Sequence, residues 1–494
     1  MRKQLIYILA LLSLLVSAQP PDKFYTKFGG SGIDIGYGVK ETFDRQYVVI
    51  GSTSSYGAGG MDAFMLLVDS MGQLKWQKTF GGIGTDEGKS ILVNPADSGF
   101  VFAGYTNSFG FGGYDVYVVR TDKNGNIIWE KSFGGFDWDF GNDLVFAADG
   151  NLVVCGSSYS STYGKNDGYL IKINTNSGNL IWQKNYGGIE DDEFKAVVRR
   201  TGSDFYLAGN SKSFGDLNGD MLMYKIGANG DSLTSIVYGG SKYDGANDVI
   251  VFDNKDIILA GGSNSFTNGK RDVFVIKFDS LSNVIWKKNY GQSGDDEECY
   301  KIVFSLSSLL NEVVLIYTTQ ESGAFTKKDI KTIYLNIFGD YFGGYNSGKF
   351  GSYGDDEAFD IAPAKNKGYV QVGYTTGYNA QNKDLFIVRQ DSLLAEGTFS
   401  VVGINENISK EDQVSIYPNP FTSHFNIDIT EIESNSSIQI TIYDVFGNLL
   451  LSEKQIIVRQ SNMLKVSTMG WNSGVYSLCI KSDIKTYHST IIKQ

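Results

Sequence analysis

The chain has 494 residues, 42% of them hydrophobic and 20% charged, with a formal net charge of −12. That length exceeds one ordinary compact core, the acidic balance argues against nucleic acid and anionic membranes as partners, and three scattered cysteines form no disulfide framework. The 59 glycines, 30 tyrosines and 31 phenylalanines point to many short β-strands.

The first 18 residues read as an export signal. Arg2 and Lys3 give a basic start, Leu5 to Val16 is an apolar run too short to span a membrane, and Val16-Ser17-Ala18 is a small-residue cleavage site. The mature chain is expected to begin at Gln19. No cysteine follows the cleavage site, which argues against a lipid anchor, and no later run is apolar enough to cross a bilayer.

A repeat follows. An aromatic-glycine pair starts at Phe28, Phe80, Phe133, Tyr186, Tyr238, Tyr290 and Phe350, and six residues after each start stands an aspartate: Asp34, Asp86, Asp139, Asp192, Asp244, Asp296 and Asp356. A second aspartate recurs at Asp62, Asp115, Asp167, Asp220, Asp272, Asp329 and Asp384. Five of the six intervals between starts are 52 or 53 residues and the last is 60, so one supersecondary unit is copied in space. The second copy shows its content: apolar runs at Lys89 to Val93, Phe100 to Gly104 and Asp115 to Arg120, then the turn pair Asn124-Gly125 leading into Ile127 to Phe133. Four antiparallel strands per copy make a propeller blade.

Trp76, Trp129, Trp182 and Trp286 stand four residues before their aromatic-glycine pairs, with Phe24 in that place in the first copy. They are expected to wedge between blades, at a cost of roughly 3–5 kcal/mol for removing a fully buried ring. Thr234 and Asn346 replace the aromatic in two copies, which predicts weaker seams there. Lys23 to Phe28 matches the last strand of a blade and would close the ring by pairing with the copy that begins at Phe350, in competition with Glu396 to Val401. The 290–350 copy is irregular, with extra residues around 306–311 and 338–349 and no trailing glycine after Val313 to Tyr317.

The text from Gly104 to Val119, echoed at Gly51 to Leu67 and Gly261 to Ile276, resembles the seven-bladed β-propeller repeat family of bacterial surface proteins, at varying quality over residues 24–400. The resemblance implies a propeller and no reaction.

Residues 403–413 are polar and break the period, so they read as a linker between a propeller at 19–402 and a domain at 414–494. Alternating runs at Phe425 to Ile429, Ile438 to Tyr443, Ile456 to Val458, Val475 to Ile480 and Lys485 to Ile492 predict a small Ig-like β-sandwich of about seven strands. Tyr417-Pro418-Asn419-Pro420, Ile442 through Tyr443 to Gly447, Gly474-Val475-Tyr476 and the closing Lys493-Gln494 resemble the type A C-terminal sorting domain of the type IX secretion system. That resemblance implies the type IX machinery as partner, and export across the outer membrane of a gliding-type Gram-negative bacterium. Surface attachment or release would follow.

Chemistry is restricted by what the body lacks. The two histidines, His424 and His488, both lie in the C-terminal domain, so His-based triads and His-based metal sites are excluded from the propeller. Strand alternation puts both rows of recurring aspartates on one face. Three readings stay open for them. They fix loops by accepting backbone amides; or some bind calcium, with Asp86, Asp115, Asp192, Asp216, Asp220, Asp296 and Asp356 as candidates and Asp191, Glu193, Asp295, Glu297, Asp355 and Glu357 nearby; or a pair cleaves glycosides. No other cofactor is implied. The expected role is a non-catalytic surface or secreted binding module for a glycan or a protein. A carboxylate-dependent glycan-active enzyme and a structural coat protein are the alternatives.

Overall fold

A computed structural model describes residues 23–401 and 416–493, apart from 161–164, 268–269, 306–311, 321–326, 342–346, 366–367, 379, 392–399, 418–421, 429–436, 445–448, 457–462, 469, 473 and 482–485. The signal region, the whole 403–413 linker and the 306–311 insertion therefore lie outside the described residues.

Blades 1 to 6 span residues 34–80, 86–133, 139–186, 192–238, 244–290 and 296–350, each a four-stranded antiparallel sheet in chain order. Blade 7 takes three strands from residues 356–390, and its fourth is Phe24–Phe28, antiparallel to Asp384–Gln390. The competition foreseen at the closure resolves with both segments bound: Ser400–Val401 adds in parallel outside Phe24 and Tyr25, as a fifth strand. The fold is all-β, a seven-bladed propeller, with no helix among the described residues.

The burial pattern explains the sequence text. Second and third strands such as Tyr47–Thr53 and Asp62–Val68 are buried throughout, because each blade is covered on both faces by its neighbours; they read as continuous apolar runs. Fourth strands such as Leu74–Phe80 lie at the rim and stay largely exposed. The core is correspondingly seven separate seams. In the one between blades 7 and 1, Val39, Val49, Phe64 and Leu66 pack on Val370, Val372, Leu385 and Ile387. Each fully buried aliphatic side chain contributes about 1.5–3 kcal/mol.

First strands contact one another around a closed ring and line the axis. All seven carry a β-bulge, after the third residue in six of them, for example between Gly36 and Gly38 and between Ala358 and Asp360, and after the fourth, Cys299, in blade 6. The strand-two glycine facing the bulge is required by it: a Cβ on Gly51 would lie 1.8 Å from the Ile35 carbonyl oxygen. Blade 6 has Tyr317 at that place, paired with Cys299. Below the bulges, Asp143, Asp248 and Asp360 accept the backbone N–H of Val197, Ile302 and Val39 in the following blades, tying first strand to first strand.

The tryptophans do join blades, but at the rim and half-buried. Trp129 donates its indole N–H to the Thr175 carbonyl at 3.0 Å and covers Gly178, whose φ of 69° frees the hairpin to turn beneath the ring. The figure for a fully buried ring therefore does not apply. Phe24 is fully buried over Gly72, and Thr234 is exposed. Asn346 lies outside the described residues.

The C-terminal region is a small sandwich of two sheets. Ile416–Tyr417, His424–Asp428 and Met463–Ser467 form one; Leu449–Ile456, Ser437–Asp444, Gly474–Lys481 and Thr486–Lys493 form the other in that order. Phe425, Ile427, Ile440, Ile442, Leu478, Ile480 and Ile491 fill its core. Of the run expected at Ile456 to Val458, Ile456 closes the longer strand Leu449–Ile456 and the rest lies outside the described residues; Met463–Ser467 had no place in the pattern read from sequence.

Candidate functional site

The first row of aspartates opens the first strands and the second row opens the third strands, so both lie on one face, as the alternation predicted. Both rows are buried except for Asp296. Asp86 Oδ2 accepts the Gly82 N–H at 2.8 Å and the Ser108 hydroxyl at 2.6 Å; Asp139 does the same with Gly135 and Ser160, and Asp192 takes the Gly188 N–H. In the second row, Asp115 accepts the Phe111 N–H and Asp220 the Asp216 N–H, each at 2.8 Å. Asp356 takes the amide and hydroxyl of Ser352. These are loop braces made four residues back along the chain.

Blade 6 departs from the count. The N–H of the first aspartate donates to the preceding blade's carbonyl in five seams, Asp86 to Met61 and Asp139 to Tyr114 among them; in blade 6 Glu297 makes this bond, to Arg271, and also accepts the Gln292 N–H. Glu297, not Asp296, occupies the repeat position, because the loop after Tyr290 is one residue longer. Asp216 caps its own turn through the Asn218 N–H and side-chain amide.

Second-row and first-row carboxylates of adjacent blades meet across the glycine of the aromatic-glycine motif. A Cβ on Gly134 would lie 2.1 Å from Asp115 Oδ1 and 2.6 Å from Asp139 Oδ2, and Gly29, Gly187 and Gly239 are flanked likewise. Burial first, then Asp139, pushes the Asp115 carboxyl up to about 6, although the Phe111 amide opposes it. Burial raises Asp62, Asp220 and Asp356 in the same direction, and pushes Glu297 to about 7. Among the described residues no three acidic, His or Cys groups converge as a calcium site would need; the Oδ2 atoms of the rows are aimed at amides and hydroxyls, while Oδ1 of Asp86, Asp139, Asp220 and Asp356 is buried without a hydrogen-bond partner.

The residues one and three places beyond the first-row aspartates build a mouth at the axis, which no motif had singled out. Blades 6, 7, 1, 2 and 3 supply a continuous aromatic arc. Phe359 touches Tyr300, Tyr37 and Tyr374 with ring centroids 5.2, 5.2 and 6.1 Å away. The Lys89 ammonium lies 3.5 Å from the Tyr37 ring and 5.3 Å from that of Tyr105. Tyr105 meets Tyr114 and Phe140, and Tyr114 meets Trp138, which is 51% exposed. Phe136, beside it, is 91% exposed. Opposite the arc stand polar groups of blades 4 to 6: Glu193 on Lys195, Asn210 on Glu193, and Glu298 paired with Arg271, whose guanidinium covers the Tyr243 ring. The sequence did hold a signal for this mouth: Glu87, Glu193, Glu298 and Glu357, with Tyr37, Lys89 and Tyr300, are polar or aromatic intrusions in otherwise apolar first strands.

In the sorting region, Tyr417, Tyr443 and Gly474 lie on strands, while Pro418, Asn419, Pro420 and Gly447 fall outside the described residues. Lys493 gains a physical role. Its ammonium donates to the carbonyls of Thr468 and Trp471 at 2.8 and 2.7 Å, while the Tyr476 hydroxyl donates to Asn472 and its ring meets Trp471 at 5.0 Å. The closing lysine thus ties Thr468 to Trp471 through their carbonyls. Cys155 and Cys299 are free and buried, consistent with small apolar packing.

Residues 415–494 match the family described as the secretion system C-terminal sorting domain. The chain is a seven-bladed β-propeller carrying a type IX sorting domain. That domain routes it to the type IX machinery, for export to the cell surface or release; no helix of the described residues is long and apolar enough to cross a membrane. Regulatory protein FlaEY of Caulobacter vibrioides is 22% identical over 267 residues, 49% of this chain and 27% of that protein, so the chain spans about a quarter of the length of that relative. Among solved structures, puromycin hydrolase aligns with a TM-score of 0.47 at 9% identity, covering 81% of this chain and 59% of that one. PorZ, a surface component of the type-IX secretion system of Porphyromonas gingivalis, aligns with a TM-score of 0.41 at 13% identity, covering 93% of this chain and 59% of that one.

Proposed function

We propose that the sorted propeller is a non-catalytic binding protein that holds a polysaccharide at the mouth of its axis, on the face where the aspartate rows lie. The observation that carries this reading is the mouth itself: an aromatic arc with Trp138 and Phe136 open to solvent, facing Glu193, Asn210, Arg271 and Glu298. Sugars need that pairing, since their C–H faces stack on rings while their edge hydroxyls exchange hydrogen bonds with amides and carboxylates. This reading needs no metal, since the described residues bring no three acidic, His or Cys groups together.

The test is retention of the mature chain on a polysaccharide panel, with and without calcium, together with the product size. Retention at unchanged polymer length, indifferent to calcium and reduced at least tenfold by Trp138→Ala, is the expected result. Shortened polymer would make the protein an enzyme, and calcium dependence would return the aspartates to metal ligation. Loss of export on removing residues 415–494 tests the sorting half.

A further inference from the structure

The mouth contains the same constellation twice. In blades 1 and 2, Tyr37, the bulged fourth residue of its first strand, leans toward Glu87 of the next blade, and Glu87 pairs across its own blade with Tyr105. In blades 6 and 7, Tyr300, again the bulged fourth residue counted from Glu297, reaches Glu357 of the next blade, and Glu357 pairs across its blade with Tyr374. Each glutamate is neutralised by one lysine at 2.7 Å, Lys89 for Glu87 and Lys328 for Glu357. In the first station the same Lys89 lies over the Tyr37 ring at 3.5 Å, and in the second a further lysine, Lys383, lies over the Tyr374 ring at 4.0 Å. Tyr300 and Tyr374 donate to Glu357 at 3.2 and 2.6 Å. Burial first, and the facing carboxylate next, hold all four phenols above their ordinary value, so they stay protonated donors. The two stations face each other across the seam between blades 7 and 1 and are joined through the contact of Tyr37 with Phe359.

Other blades do not repeat the unit. At the positions of Tyr37 and Tyr300, blades 2 to 5 carry Lys89, Asn142, Lys195 and Asn247, and blade 7 carries Phe359. Two equal stations in one mouth suit two equal units of one ligand. Each glutamate is matched by a lysine, so a cationic ligand finds no free carboxylate, whereas a polyol finds the lone pairs of the phenols and carboxylates, the lysine ammonium groups and ring edges. Resting on the binding reading above, we propose that Tyr37–Glu87–Tyr105 and Tyr300–Glu357–Tyr374 are two equivalent subsites that engage two like residues of a single uncharged polysaccharide chain.

The full mature chain is titrated with a size ladder of neutral oligosaccharides cut from whichever neutral polymer of the panel it retains, and with polygalacturonate as the charged counterpart. A step gain in affinity of tenfold or more is expected once the oligosaccharide is long enough to bridge both stations. Tyr105→Phe and Tyr374→Phe should each abolish that step, and the double variant should bind no more weakly than either single one on short oligosaccharides confined to other contacts. Melting curves of each variant control for folding, and Tyr37→Phe with Tyr300→Phe repeats the test if either of the first pair melts early. Affinity that climbs smoothly with length, a defect from only one station, or preference for polygalacturonate would overturn the two-subsite inference while leaving glycan binding intact. No retention of any polysaccharide would instead remove the binding reading on which it rests.

Discussion

The seam between blades 7 and 1 and the seam between blades 4 and 5 solve one electrostatic problem in two ways. Both bury a second-row and a first-row carboxylate against a single glycine, Asp384 and Asp34 at Gly29, and Asp220 and Asp244 at Gly239. In the closing seam Lys27, itself 6% exposed, places its ammonium on Asp384. In the other, Val237 stands at the corresponding place on the fourth strand, and the Asp220 carboxyl is raised by burial and by Asp244. One seam thus carries its own counter-ion, and the other tolerates two acids by holding a proton more tightly. The difference falls at the ring closure, where the N-terminal strand completes blade 7.

The largest way to break this comparison is at Lys27. Lys27→Met should cost about 3–5 kcal/mol, since removing one partner leaves Asp384 charged and buried. The loss should appear as an early-melting phase in calorimetry at pH 7.5. Asp220→Asn, which keeps the acceptor for the Asp216 amide, should cost less than about 1 kcal/mol. Equal losses in the two variants would mean that Lys27 gives the closing seam nothing the other lacks.

Proton uptake gives the second, smaller test. Glu297 is raised from its ordinary 4.5 to about 7, and Asp115 from 3.8 to about 6. A folded state that binds protons more tightly than the unfolded chain is stabilised at low pH and loses that contribution as pH rises through the raised values. Stability should therefore fall between about pH 4 and pH 7. The lowered carboxyls, Asp122, Asp149, Asp279 and Asp340, act in the opposite sense, but only as pH falls below their ordinary 3.8. Urea midpoints at pH 5 and pH 7.5 should thus be higher at pH 5, and Glu297→Gln should flatten the difference. A midpoint that rises with pH across this window would show that the seams are not proton-holding.

These seams also mark what could be read in the sequence. A period of 52 or 53 residues with an aspartate at each strand start was enough to place seven blades, their strand order and the face on which both rows lie, because a repeat reports itself seven times. The acidic run Asp295-Asp296-Glu297-Glu298 hid a one-residue slip: four consecutive carboxylates carry no phase, and only the backbone bond from Glu297 to Arg271 shows which one holds the seam. The mouth stayed hidden for a related reason. Tyr37, Lys89 and Tyr300 turn toward the axis because the strand bulges beneath them, and a bulge is a backbone event that alternation cannot announce. The tie made by Lys493 was equally invisible, since the residue and its carbonyl partners lie more than 20 positions apart.

The smallest effect is the most informative about equivalence. Val237→Lys places an ammonium on the blade 4 fourth strand where Lys27 stands on its own. Val237 packs at the edge of its apolar cluster, so the swap loses some packing while it neutralises Asp220. The two effects oppose, and the net change in stability at pH 7.5 should stay within about 1 kcal/mol. Its pH dependence should change more clearly: with a cation beside it Asp220 no longer holds a proton tightly, so its contribution to the loss of stability with rising pH disappears. If Val237→Lys kept the wild-type slope, the ammonium would not be reaching Asp220, and the closing seam would owe its counter-ion to a local backbone geometry that blade 4 does not share.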